Sequence, residues 1–67
     1  MIDIKFPHVY VTLVGEDGNA FAILGRVKKA MERAGVSKED VEAYLAEAKS
    51  GNYDNLLRVT MQTVNVD

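Results

Sequence analysis

The stretch from Gly15 to Gly35, GEDGNAFAILGRVKKAMERAG, decides the fold. It opens on a turn cluster, Gly15-Glu16-Asp17-Gly18-Asn19, whose Asp17-Gly18 pair would suit a β-hairpin if a second strand followed. None does. Ala20, Ile23, Leu24, Val27, Ala30, Met31 and Ala34 recur instead at spacings of three and four, the apolar stripe of an amphipathic helix. Asn19 or Asp17 supplies its N-cap, and Gly35 fits the left-handed position that ends it.

Upstream, Ile2, Ile4 and Phe6 alternate with Asp3 and Lys5, and His8 to Val14 is rich in Val, Tyr and Thr, which is strand chemistry. Pro7 cannot donate to a ladder, so it marks an edge, a bulge or a break. No turn signal divides Ile2 from Val14, so the strand must find its partner elsewhere. Downstream, Ser37 caps a second helix with Glu39 and Asp40 in its first turn and Val41, Tyr44, Leu45 and Ala48 as its stripe. Ser50-Gly51-Asn52 ends it, and Asn52 or Asp54 starts a third helix through Leu56, Leu57 and Met61 and as far as Val64. Val59, Thr60 and Thr63 lower helix propensity there and make a strand the competing assignment. Val64-Asn65-Val66 alternates and can form a short strand that pairs with Val9 to Val14.

These elements predict one α+β domain over residues 1–67, in which an N-terminal strand, paired with the short C-terminal strand or with a second chain, packs against three short helices. At 67 residues, with 48% apolar and 27% charged residues, there is no room for a second domain. A domain this small buries only about 60% of its unfolded surface and often needs a disulfide, a metal or a partner chain. With no Cys and one His, disulfides are impossible and a structural zinc site is nearly so, and no metal or cofactor is expected. Self-association is the remaining device. A strand with only a three-residue internal partner leaves most of its backbone groups in water, and antiparallel pairing with the same strand of a second copy would satisfy them. A homodimer is therefore expected.

The N-terminus lacks the apolar core of a secretory signal, and no apolar run approaches the roughly 18 residues of a membrane span. A cytoplasmic setting without membrane attachment is the expectation. The net charge of −2 gives no global attraction to nucleic acid or anionic lipid. Locally the balance differs. Residues 19–35 carry four basic side chains and one acid, for +3, whereas residues 36–51 carry two basic and four acidic, for −2. Arg26, Lys29 and Arg33 share one outer face of the first helix. They could meet phosphates, but no aromatic residue interleaves with them to stack bases, and an acidic protein partner or plain solvation explains them as well.

No catalytic residue stands out. His8 has no recognisable nucleophile motif around it, and Ser37 and Ser50 sit at helix boundaries that explain them. The Gly15–Asn19 loop is not a phosphate-binding loop, since the Lys and Ser or Thr of that motif are missing and Glu16 and Asp17 would repel an anion. Ala34-Gly35-Val36-Ser37 with Val41 and Leu45 resembles a helix-turn-helix, but Met31 stands where a small residue is usual and the second helix is acidic, so a plain helical hairpin is the better reading. Gly25 inside a helix suggests close approach of another backbone. Tyr44 and Tyr53 read as packing residues with wet hydroxyls, and Phe21, beside the main stripe, either closes the core or anchors a partner.

Gly15-Glu16-Asp17-Gly18-Asn19-Ala20-Phe21, Glu47-Ala48 and Ser50-Gly51-Asn52-Tyr53-Asp54-Asn55-Leu56-Leu57 together resemble a group of short uncharacterised proteins of bacteria and their phages or mobile elements. The resemblance runs from Val11 to Val66. It implies a small cytoplasmic accessory protein that acts by binding, and it carries over no site residues. The expectation is a non-enzymatic binding protein with interaction surfaces on the strand edge (Val9, Val11, Leu13) and the first helix (Phe21, Arg26, Lys29, Arg33). A nucleic-acid-binding regulator using the same basic face is the alternative.

Overall fold

A computed structural model describes residues 3–13, 15 and 18–66. The elements run β1 (Phe6–Val11), α1 (Ala20–Arg33), α2 (Lys38–Ala48), α3 (Tyr53–Thr63) and β2 (Val64–Val66). This is the expected small α+β arrangement, and β1 and β2 form a two-stranded parallel sheet that joins the first and last elements. β1 is shorter than the expected strand. Its partner has only three residues, so Thr12 and Leu13 leave the ladder as the chain turns toward Gly15, which adopts φ +79°. Ile2, Val14, Glu16 and Asp17 lie outside the described residues.

The register contains one irregularity. Phe6 faces Val64, Tyr10 faces Asn65 and Val11 faces Val66, so Pro7, His8 and Val9 are accommodated between consecutive β2 residues. Pro7 lacks the N–H that a regular ladder would use. Its carbonyl instead accepts a 2.5 Å hydrogen bond from the Asn65 side-chain amide, and the backbone N–H of Lys5 donates to Gln62 O at 3.0 Å. The extra residues shift the phase of the strand. Phe6 packs on the core on one side of the irregularity, Val9 within it and Val11 beyond it pack there as well, and His8 and Tyr10 are left facing outward.

Each helix begins on a side-chain cap. Asn19 Oδ1 accepts from Phe21 N at 2.8 Å, Ser37 Oγ from Asp40 N at 3.2 Å and Asn52 Oδ1 from Asn55 N at 3.0 Å. Gly35 takes φ +84° after α1, as its position predicted. Asn55 also reaches back, donating from Nδ2 to Glu47 O at 3.1 Å, so it holds the end of α2 while the start of α3 is being capped. A side chain at Gly51 would put a Cβ 2.8 Å from that of Asn55, which explains a glycine in this corner. Asn52→Ala is expected to cost about 1 kcal/mol, the usual worth of such a cap, measured as a lower urea midpoint with an unchanged slope.

The core forms where α1 meets β1 and α2 meets α3, from Val9, Val11, Ile23, Leu24, Val27, Met31, Val41, Tyr44, Ala48, Leu56, Val59 and Val64. Ala34 falls outside it, exposed at the end of α1. The face of α3 also differs from expectation. Met61 is 52% exposed and Leu57 only half-buried, while Thr60 and Thr63 turn inward with Leu56 and Val59. The threonines can do so because each hydroxyl donates to the carbonyl four residues back, Thr60 to Leu56 O at 2.8 Å and Thr63 to Val59 O at 2.7 Å. Val64 leaves the helix and opens β2 with its side chain fully buried.

Candidate functional site

The seven residues expected to form interaction surfaces fall into three different settings. Val9 and Val11 are 2% and 5% exposed, so their side chains are committed to the core and cannot themselves contact a partner, while Leu13, half-buried, packs against the same cluster. What this stretch presents outward is the side chains of His8 and Tyr10 on β1 and of Thr12 just beyond it. The first-helix patch is in fact two surfaces. With 3.6 residues per turn, Phe21 lies roughly 110° around α1 from the centre of Arg26, Lys29 and Arg33, and the two groups border different hollows.

The first surface surrounds Phe21, which is 81% exposed. It stands at the rim of a hollow of about 230 Å³ where Ala20 and Leu24 of α1 face Ala48 of α2 and Leu56 of α3, with Tyr53 on the opposite lip. Tyr53 is fixed there, because its hydroxyl donates to Gly18 O at 2.5 Å and so ties α3 to the loop entering α1. Tyr53 is 45% exposed, in keeping with a packing residue whose hydroxyl meets water. Gly25, one turn on from Phe21, is exposed, and among the described residues outside its own turn of helix nothing lies within 4 Å of where its Cβ would be. The close backbone approach suggested by this glycine is therefore not made among the described residues.

The second surface is a groove of about 340 Å³ between β1 and α1. Tyr10, Val11 and Thr12 form one wall, and Arg26, Lys29, Ala30 and Arg33 form the other, with no carboxylate among the described lining residues. The aromatic ring that the sequence does not place beside the basic triad is supplied by Tyr10, 68% exposed. The signal was present in the chain as a change of phase. Ile2, Ile4 and Phe6 occupy even positions and Val9, Val11 and Leu13 odd ones, so the slip at Pro7-His8 turns Tyr10 away from the core.

A buried side-chain hydrogen bond joins α2 to α3. Tyr44 is 4% exposed, and its hydroxyl lies 2.7 Å from Thr60 Oγ1. Thr60 spends its single proton on Leu56 O, so Tyr44 is the donor of this pair, and its hydroxyl is dry rather than wet. Burial raises the Tyr44 phenol above the ordinary tyrosine range, partly offset by the hydrogen bond with Thr60. His8 is exposed, with its ring edge-on to Phe6 at 6.3 Å between centroids. Among the described residues no group of three or more His, Cys, Asp or Glu side chains is placed to hold a metal ion. No described helix is long and apolar enough to cross a membrane.

No protein-family model matches the chain, and comparisons with curated proteins and with solved structures find no match.

Proposed function

We propose that this protein is a small binding protein that acts through protein contact, and first through contact with a second copy of itself, using the face around Phe21. The observation that carries this reading is the placement of Phe21 in water beside an apolar hollow formed by its own chain. A knob and a socket on one face are what a two-fold interface requires, since each copy can lend its ring to the hollow of the other. Gly25 on the same face offers a flat approach to a facing helix, at a cost of up to about 1 kcal/mol relative to Ala that no close contact among the described residues offsets. The exposed edge of β1 is the weaker surface for this purpose. Arg26, Lys29 and Arg33 flank it, so pairing two copies there sets like charges against one another.

Each ring buried contributes about 1.5–3 kcal/mol, so Phe21→Ala is expected to weaken the dimer at least about a hundred-fold when two rings are lost. Sedimentation velocity over a concentration series reads this directly. Gly25→Ala separates packing from stability: it should raise the unfolding free energy of the monomer by about 0.5–1 kcal/mol while weakening association. A wild-type chain that stays monomeric at high concentration, or a Phe21→Ala dimer as tight as wild type, would overturn the reading.

A further inference from the structure

We infer that the groove between β1 and α1 binds single-stranded nucleic acid, with a base laid on the ring of Tyr10 and the backbone phosphates against Arg26, Lys29 and Arg33. This is a second surface, distinct from the Phe21 face, and it does not depend on self-association. Its observations are of three kinds. The groove gathers three of the eight basic side chains of a chain whose net charge is −2, and no described carboxylate lines it. The cations are not scattered. They repeat at spacings of three and four along one helical face, and the first and last are separated by about 10 Å along the axis, a row that an extended strand can follow. The opposite wall carries an exposed aromatic ring held by a strand.

The chemistry of these walls selects among anionic partners. Lysine and arginine alone attract any polyanion, including an acidic peptide or duplex DNA. A tyrosine across a narrow groove adds affinity only for a ligand with a free planar face, because the bases of a duplex are already stacked on their neighbours. Unpaired bases offer that face, and any base will serve, so recognition should tolerate sequence variation. The β1 irregularity is what makes the arrangement possible. Had the alternation of Ile4 and Phe6 run on unbroken through β1, Tyr10 would have turned into the core and Val9 and Val11 outward.

The test is fluorescence anisotropy of labelled twelve-nucleotide oligothymidylate and oligouridylate with the full chain, alongside a twelve-base-pair duplex and poly-glutamate. Three phosphate contacts give a log–log salt slope near −2, so affinity for the single strands should fall roughly 20-fold between 50 and 200 mM salt. Lys29→Gln with Arg33→Gln should remove about two-thirds of that slope. Tyr10→Thr, which keeps a strand-forming residue at an exposed position, should lower affinity about ten-fold or more at an unchanged slope, while Tyr10→Phe retains binding. Phe21→Ala, on the other face, should bind the oligonucleotides as wild type does. Equal affinity for the duplex or for poly-glutamate, or an unchanged affinity in Tyr10→Thr, would overturn the inference, as would the absence of salt-sensitive binding to either single strand.

Discussion

Met31→Ala is expected to lower the unfolding free energy by about 2–5 kcal/mol, the range for truncating a fully buried methionine. At roughly 0.05–0.15 kcal/mol per residue, a 67-residue chain has only about 3–10 kcal/mol in total. One truncation can therefore consume most of the margin. Met31 is fully buried at the end of the α1 stripe, one turn beyond Val27, and its carbonyl accepts from Val36 N at 3.0 Å as the chain turns into α2. The cavity would open where α1 turns toward α2. Met61→Ala is the matched control. The same truncation at a position 52% exposed should change stability by no more than about 0.5 kcal/mol, and urea unfolding of the two variants separates burial from residue type.

Thr60→Val should cost about 1–3 kcal/mol although it preserves shape, because it removes the acceptor of the buried Tyr44 hydroxyl and leaves that group without a partner. Tyr44→Phe should be milder, since Thr60 keeps its bond to Leu56 O. The double variant should then be less destabilised than the two singles added together, the signature of coupled partners. Additive losses would show that the hydroxyls do not act as a pair. The same tyrosine sets a pH dependence. Its folded-state pKa is raised, so its contribution is fully present below the ordinary tyrosine value of about 10 and is lost as pH rises through the folded value. Tyr44→Phe should accordingly flatten the alkaline end of the stability profile, as read by urea midpoints from pH 8 to 11.

Much of this architecture was legible in the chain. Asn19, Ser37, Asn52 and Gly35 announced the helix ends because capping is local chemistry between residues two to four apart, and the structure uses each as its type predicts. The alternation at Val64-Asn65-Val66 pointed to the internal partner of β1. The buried face of α3 was less legible. Propensity counts Thr60 and Thr63 as weak helix formers, whereas the helix itself supplies the carbonyls that let them be buried. Tyr10 illustrates a different limit. Sixteen positions separate it from Arg26, and only the packing of α1 against β1 brings the two to one groove. The first-helix patch divided in two for the same reason, since its two sides meet different neighbours.

The parallel pairing of β1 with β2 also governs the order in which the molecule can assemble. The α1–α2 and α2–α3 hairpins close over short turns and can form from local contacts, but β1 has no partner until Val64–Val66 arrives from the far side of all three helices. Joining the strands closes a loop of about 50 residues, with an entropic cost near 3.5 kcal/mol from the length-dependent term alone. The helices shorten that search if they are already packed. A chain leaving the ribosome would thus carry a helical scaffold with an unsatisfied N-terminal strand, and the sheet would close last, once residues 64–66 are free to reach it.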